Sequence, residues 1–142
     1  MPIPETIICQ IVRPDRMLYE GPVASCVLVA QSGELGVWPG HAAEIVALGD
    51  GVVRLNRREE DGGGVDKVIV SGGYAEINGD SVIVLATHAR KADDIEPDVV
   101  RQTRQKAMDT RDRYDEGDSR RAYYDNKIRW CNLLLKHAED DK

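Results

Sequence analysis

Three histidines, three cysteines and a run of arginines are the side chains from which chemistry could be assembled in this chain of 142 residues. His41, His88 and His137 stand far apart, and none sits in the short spacing of a metal-ligand set or beside a hydroxyl or thiol that it could activate. Cys9, Cys26 and Cys131 are odd in number and lack metal spacing. The first two fall inside alternating apolar runs, where a thiol acts as a small hydrophobe, which points to a reducing compartment. Ser71-Gly72-Gly73 and Asp61-Gly62-Gly63-Gly64 are glycine-rich but carry no lysine and do not join a parallel strand to a helix, so they read as tight turns rather than phosphate loops.

Two weaker constellations remain. His41 directly follows Pro39-Gly40, so a turn should display it at the edge of a β domain, and Glu34 lies shortly before it in a glycine-flanked loop. A small β-sandwich enzyme built on His41 and Glu34 would lack a second base, a nucleophile and a metal set. Further along, nine basic residues fall between Arg101 and Arg129. They read either as a solvated helix surface with i,i+4 ion pairs, or as an anion site on which arginines from two adjacent helices converge. Asp98 and Arg101 are one helical turn apart, where a salt bridge accounts for them without a ligand.

The elements that must position these groups divide the chain in two. Short Val, Ile and Leu runs at 7–12, 17–19, 23–30, 36–38, 43–48, 52–56, 65–71, 74–77 and 81–86 alternate with Gly, Pro, Asn and Asp turns. That is the pattern of an all-β sandwich or barrel. Asn78-Gly79 is the strongest hairpin signal and predicts a type I′ turn. Beyond Pro97, which suits a first helical position, the period lengthens to about 3.6. A helix over 97–114 shows a thin stripe of Val100, Thr103, Ala107, Thr110 and Tyr114. A second over 119–137 shows Tyr124, Ile128, Cys131, Leu135 and Ala138, widened by Tyr123, Trp130 and Leu134. Together they predict an antiparallel αα-hairpin of marginal independent stability. The fold class is therefore a β-sandwich of about ten short strands followed by a C-terminal helical hairpin, with domains at 1–90 and 91–142.

Composition bounds the function. The net charge is -6, with 8 basic and 15 acidic residues in 1–96 against 11 and 10 in 97–142. An acidic chain is a poor nucleic-acid binder, because phosphate contacts need a concentrated cationic surface. Residues 1–5 lack the basic and apolar stretches of a secretory signal, and no apolar run approaches the roughly 20 residues that span a bilayer. No direct membrane insertion is expected, and any membrane association should run through a partner. Phenylalanine is absent, so Val, Ile and Leu must fill the core.

The segment Gly33-Glu34-Leu35-Gly36-Val37-Trp38-Pro39-Gly40-His41 resembles the Gly-Glu-Leu/Met-Gly-Ile/Val-x-Pro-Gly-His run of the epsilon subunits of F-type ATP synthases. Pro14-Asp15-Arg16-Met17-Leu18-Tyr19-Glu20-Gly21, Leu48-Gly49-Asp50-Gly51-Val52, Val70-Ser71-Gly72-Gly73-Tyr74-Ala75-Glu76-Ile77 and Val82-Ile83-Val84-Leu85-Ala86 follow the family order, so the similarity covers nearly the whole chain. The resemblance implies a β-sandwich and helical hairpin in a non-catalytic central-stalk subunit. Such a subunit links gamma to the c ring, couples proton flow to nucleotide chemistry elsewhere, and lies peripherally on the cytoplasmic face of the cell membrane.

By position, the resemblance makes Gly33, Glu34 and Leu35 candidates to face the c ring, and Pro39, Gly40, His41, Ala42 and Ala43 candidates to face gamma. It also implies that the hairpin can extend to restrain ATP hydrolysis, reaching the catalytic alpha and beta subunits. No cofactor is required. In some members ATP binds as a regulatory ligand through an Ile/Leu-Asp-x-x-Arg-Ala motif. Here Asp98 and Arg101 fit that motif, with Arg120 and Arg121 as further candidates, while Pro97 and Gln102 depart from it. The alternative is a stand-alone ATP-sensing module of the same architecture.

Overall fold

The computed structural model describes residues 5–140, with side chains to residue 138. The reading of residues 1–4 as free of a leader lies outside this range. Two compact units divide after Asp93.

The first unit is all-β. Its strands are β1 (Ile7–Arg13), β2 (Arg16–Val23), β3 (Ser25–Ala30), β4 (Gly33–Val37), β5 (Glu44–Ala47), β6 (Asp50–Asn56), β7 (Val65–Asn78) and β8 (Ser81–Lys91). They run in the order β2-β1-β8-β7-β6-β3-β4, with β5 also paired to β7. All pairings are antiparallel except β1 with β8.

The sheet folds over on itself through its two longest strands. The first half of β7 pairs with β6 and the second half with β5, while β8 follows β7 along most of its length. This makes a sandwich of two layers, β2-β1-β8-β7-β5 and β8-β7-β6-β3-β4. The nine apolar runs of the sequence become eight strands among the described residues because the runs at 65–71 and 74–77 are one strand bent at Gly72-Gly73. Both glycines have positive φ, 72° and 102°, and the pairing lapses at Gly72 between Ser71↔His88 and Gly73↔Ala86.

Between the layers lie the inward positions of the alternating runs. Ile7, Cys9 and Ile11 of β1, Leu28 of β3, Leu55 of β6, and Val82 and Val84 of β8 are all fully buried in one cluster. Each Val, Ile or Leu so buried contributes about 2 kcal/mol of transfer free energy. Cys9 and Cys26 are part of this core as unbridged thiols. The Cys9 thiol is pushed up by its hydrogen bond with Cys26 and by burial, so it stays protonated. Buried Ser25 and Ser71 are satisfied, Ser25 accepting from Asn56 at 2.9 Å and Ser71 donating to Asp50 at 2.6 Å.

The Asn78-Gly79 hairpin is present, but its turn is not type I′. Asn78 pairs with Ser81, which makes Gly79 and Asp80 the corner residues, and neither has positive φ. Tertiary bonds set the corner instead: the Gly79 carbonyl accepts from Gly40 at 2.7 Å and the Asp80 carbonyl from Ile8 at 2.9 Å.

The second unit is a helical hairpin, α1 (Pro97–Arg111) and α2 (Ser119–Asp140). Helix α1 stops three residues short of the predicted end, at the first 3-10-like bonds, Arg113 to Thr110 and Tyr114 to Arg111. Val100, Ala107, Cys131, Leu134 and Leu135 are buried, as the stripes predict. Tyr123 is the exception. It is 62% exposed, its ring standing edge-on to Tyr124 at 5.0 Å rather than widening the buried stripe.

Candidate functional site: an edge strand, a turn and an apolar sheet face

Residues 33–41 do not form a single displayed loop. A two-residue turn, Gln31-Ser32, sends the chain back from Ala30 to Gly33, and Gly33–Val37 then pairs along β3 as the edge strand β4. Glu34 is therefore a strand residue. It lies opposite Val29, and one strand further on Arg54 lies opposite Val27, so the two charges share the outward side across β3. Arg54 donates to the Glu34 carboxylate at 3.1 Å, with side-chain exposures of 41% and 62%. An exposed pair of this kind is worth less than about 1 kcal/mol, so the carboxylate is oriented but remains available. Leu35 on the inward side packs partly against the core.

The strand ends in a turn. His41 N–H donates to the Trp38 carbonyl at 3.1 Å, with Pro39 and Gly40 at the corners and Gly40 at φ 88°. Proline followed by a residue of positive φ is what a type II turn requires. The Trp38 ring, 61% exposed, folds back over Gly36, where a Cβ would meet it at 2.5 Å. His41 donates from Nδ1 to the Ala42 carbonyl at 2.7 Å, and its Nε2 lies 3.9 Å from Glu44. Ala42 and Ala43 lead directly into β5. His41 and Glu34 each have their own partner, and no catalytic pair forms between them. Among the described residues no group of His, Cys, Asp and Glu could hold a metal ion.

A larger feature adjoins this turn. Residues paired across a sheet point to the same side, so the register defines the outward face of the β2-β1-β8-β7-β5 layer. One row runs Met17, Val12, Leu85, Tyr74 and Ala47. The next runs Glu20, Gln10, Ile83, Glu76 and Ile45, with Gln10 donating to Glu20 at 2.9 Å. Ile8 lies beyond. Ile45 is 74% exposed, and Ile8, Met17 and Tyr74 are each close to half exposed. At one end the surface dips into a groove of about 360 Å³ lined by Val12, Arg13, Pro14, Tyr74, Leu85 and Thr87 with Gly73 and Ala86. The sequence reading missed this face. The signal was available: Ile7-Ile8-Cys9 and Val82-Ile83-Val84-Leu85 are apolar at consecutive positions, which means strands apolar on both sides.

The hairpin does not gather the four ATP candidates. Arg101 pairs with Asp98 at 2.9 Å at the start of α1. Arg120 and Arg121 sit at the start of α2, beside the far end of α1, where Arg121 donates to the carbonyls of Arg111 and Tyr114. From Arg101 to Arg111 the helix advances roughly 15 Å. Arg104 donates to Asn132 at 2.9 Å and Arg111 pairs with Asp125 at 3.3 Å, so these arginines bind across the helix pair rather than converging on an open anion site.

The β-sandwich segment, residues 6–92, matches the family model of the ATP synthase delta/epsilon chain β-sandwich domain. The chain is 42% identical to the ATP synthase epsilon chain of Anoxybacillus flavithermus over 65% of its own length and 66% of the relative's. With that of Bacillus pumilus it shares 34% identity over 83% and 87% of the two chains, and with that of Bacillus subtilis 34% over 74% and 76%. A chain in the solved OSCP/F1/c-ring of the Euglena gracilis mitochondrial ATP synthase has the same fold, at a TM-score of 0.70 and 24% identity, covering 99% of this chain and 84% of that one. A chain of the Tetrahymena thermophila synthase central stalk and c ring follows at 0.52 and 11% identity, covering 93% and 96%. This chain belongs to the ATP synthase delta/epsilon family, as a non-catalytic subunit of the epsilon type. No helix among the described residues is long and apolar enough to cross a membrane.

Proposed function

We propose that this chain works in the central stalk of an F-type ATP synthase, joining gamma to the c ring, and that its hairpin restrains ATP hydrolysis. The observation that carries the reading is the outward sheet face with the apolar row Met17, Val12, Leu85 and Tyr74 and the exposed Ile8 and Ile45, beside the turn at Pro39, Gly40 and His41. Isolated exposed hydrophobics are ordinary, but an apolar row across one sheet face, set beside a row in which Glu20, Gln10 and Glu76 alternate with Ile83 and Ile45, suits a protein contact. In this proposal gamma covers that face together with His41, Ala42 and Ala43. The β4 edge offers Gly33, Glu34 and Leu35 to the c ring. A cation on a ring loop would share the Glu34 carboxylate with Arg54, a rim pairing that favours orientation over affinity. The subunit would then lie peripherally on the cytoplasmic face of the membrane, held there by the ring.

Restraint of hydrolysis belongs to the hairpin, which the proposal lets extend towards the catalytic alpha and beta subunits. Removing residues 97–142 should leave the sandwich assembled and raise the ATPase rate of the complex severalfold. An unchanged rate in a fully assembled complex would remove the restraint from the proposal. In this proposal Asp98, Arg101, Arg120 and Arg121 serve the hairpin itself: Asp98 pairs with Arg101, Arg120 with Asp118, and Arg121 donates to the Tyr114 carbonyl. The stand-alone ATP-sensing alternative has no observation in its favour.

A further inference from the structure

Helix α2 has an ordinary acidic cap in Asp118 but an unusual first turn. Its first turn contains no acidic residue and carries Arg120 and Arg121 at the positive end of its own helix dipole. Cations there are unfavourable, and acidic side chains are the usual choice. The structure shows where these arginines are used. The Arg121 guanidinium donates from Nη1 to the Tyr114 carbonyl at 2.7 Å and to the Arg111 carbonyl at 3.2 Å. These are carbonyls at and just beyond the end of α1, where a cation is favoured; the Arg111 carbonyl also accepts the Tyr114 N–H at 3.0 Å. Arg120 stacks over the Tyr114 ring, 4.3 Å from its centre, and forms a forked pair with Asp118 at 2.8 and 3.1 Å. Asp118 in turn accepts the Arg120 backbone N–H at 2.9 Å, capping α2. The Arg120 guanidinium holds the Asp118 carboxyl down at about 2. Tyr114 also stacks on Tyr124, at 6.0 Å.

We propose that Arg121, with Arg120 and Asp118, is a latch that holds the hairpin closed at its turn. Arg121 finds these acceptors only while the end of α1 lies against the start of α2, whereas the Arg120 pair with Asp118 is local to the start of α2. If the helices part, Arg120 loses the Tyr114 ring but keeps Asp118, while Arg121 loses both carbonyls and is left at the unfavourable end of α2. Arg104 with Asn132 and Arg111 with Asp125 add ties along the helices, and α1 buries Val100 and Ala107, so the latch governs the turn end of the hairpin. Its link to regulation rests on the proposed restraint of hydrolysis by an extended hairpin, but the latch itself is a property of the isolated chain.

Amide hydrogen exchange on the full-length chain, read by mass spectrometry, tests it. Arg121→Gln should speed exchange across residues 108–125 about tenfold, the loss expected for hydrogen bonds from a charged donor, and leave β1 to β8 unchanged. Arg121→Lys, which restores the cation at the end of α1, should recover part of the protection. Arg129→Gln, an exposed change on the same helix, should alter nothing. The proposal is overturned if Arg121→Gln exchanges like the parent, or if Arg129→Gln speeds the turn equally. Protection of the sandwich in the same sample shows whether each variant has folded. The ATPase rate of complexes carrying Arg121→Gln separates the two ideas. Faster exchange with an altered rate supports both, while faster exchange with an unaltered rate keeps the latch and removes the restraint. Unchanged exchange removes the latch whatever the rate.

Discussion

Gly73→Ala should cost the fold about 3 kcal/mol or more, a large share of the roughly 5 to 15 kcal/mol that holds a domain of ordinary stability together. Gly73 sits at the bend of β7 with φ 102°, in a conformation that L side chains rarely adopt. A Cβ there would overlap the Leu85 carbonyl oxygen and lie 3.0 Å from the Ala86 Cα, both in the backbone of the paired strand. Neither can move without breaking the Gly73↔Ala86 pairing, and the Gly73 carbonyl is itself fixed by the Leu48 N–H at 3.0 Å. Gly62 provides the control. It has the same φ, 102°, but its nearest neighbour is the mobile end of Arg57 at 3.7 Å. Gly62→Ala should therefore cost only about 1 kcal/mol, the backbone part of the penalty. Urea unfolding followed by circular dichroism measures both. Equal losses for the two variants would show that close packing at the bend does not matter.

The apolar face gives the second large effect. Ile45→Asp places a charge at the centre of the proposed gamma contact, and Tyr74→Ala removes an aromatic anchor beside the groove. Each should weaken binding to gamma about 100-fold, the scale of a central interface residue at about 2 to 3 kcal/mol. Because Ile45 is 74% and Tyr74 49% exposed, and both point away from the core, the fold itself should change by less than about 1 kcal/mol. Equilibrium binding to purified gamma is the measurement. Parent-like affinity for both folded variants would mean that gamma does not cover this face.

Much of the architecture is legible in local pattern. Alternation fixes which side of β1, β3 and β6 is buried, and the change of period after Pro97 marks the hairpin, because both signals are carried by neighbouring residues. What escapes is set by partners distant in sequence. Val65–Asn78 reads as two strands because glycines normally end a strand, whereas here Gly72-Gly73 carries one strand from layer to layer. Asn78-Gly79 has the composition of a type I′ turn, yet bonds from Gly40 and Ile8 shape another corner.

The candidate site shows the same division. The motif from Gly33 to His41 is plain in sequence, but Glu34 turns out to lie on an edge strand beside Arg54, a neighbour that only the register across β3 reveals. Charge alone suggests Arg120 and Arg121 as anion ligands; the fold adds that Arg121 donates to carbonyls at the end of the helix before it and that Arg120 pairs with Asp118. The outward apolar face could have been read from the unbroken runs at 7–9 and 82–85, had those been taken as strands covered on both sides.

The central claim is that this chain is held in the stalk by gamma. It is tested most directly by purifying gamma together with the unaltered full-length chain at native salt. The account predicts a one-to-one complex that survives gel filtration and that Ile45→Asp disperses. A folded chain that elutes alone, with gamma present and soluble, would contradict it.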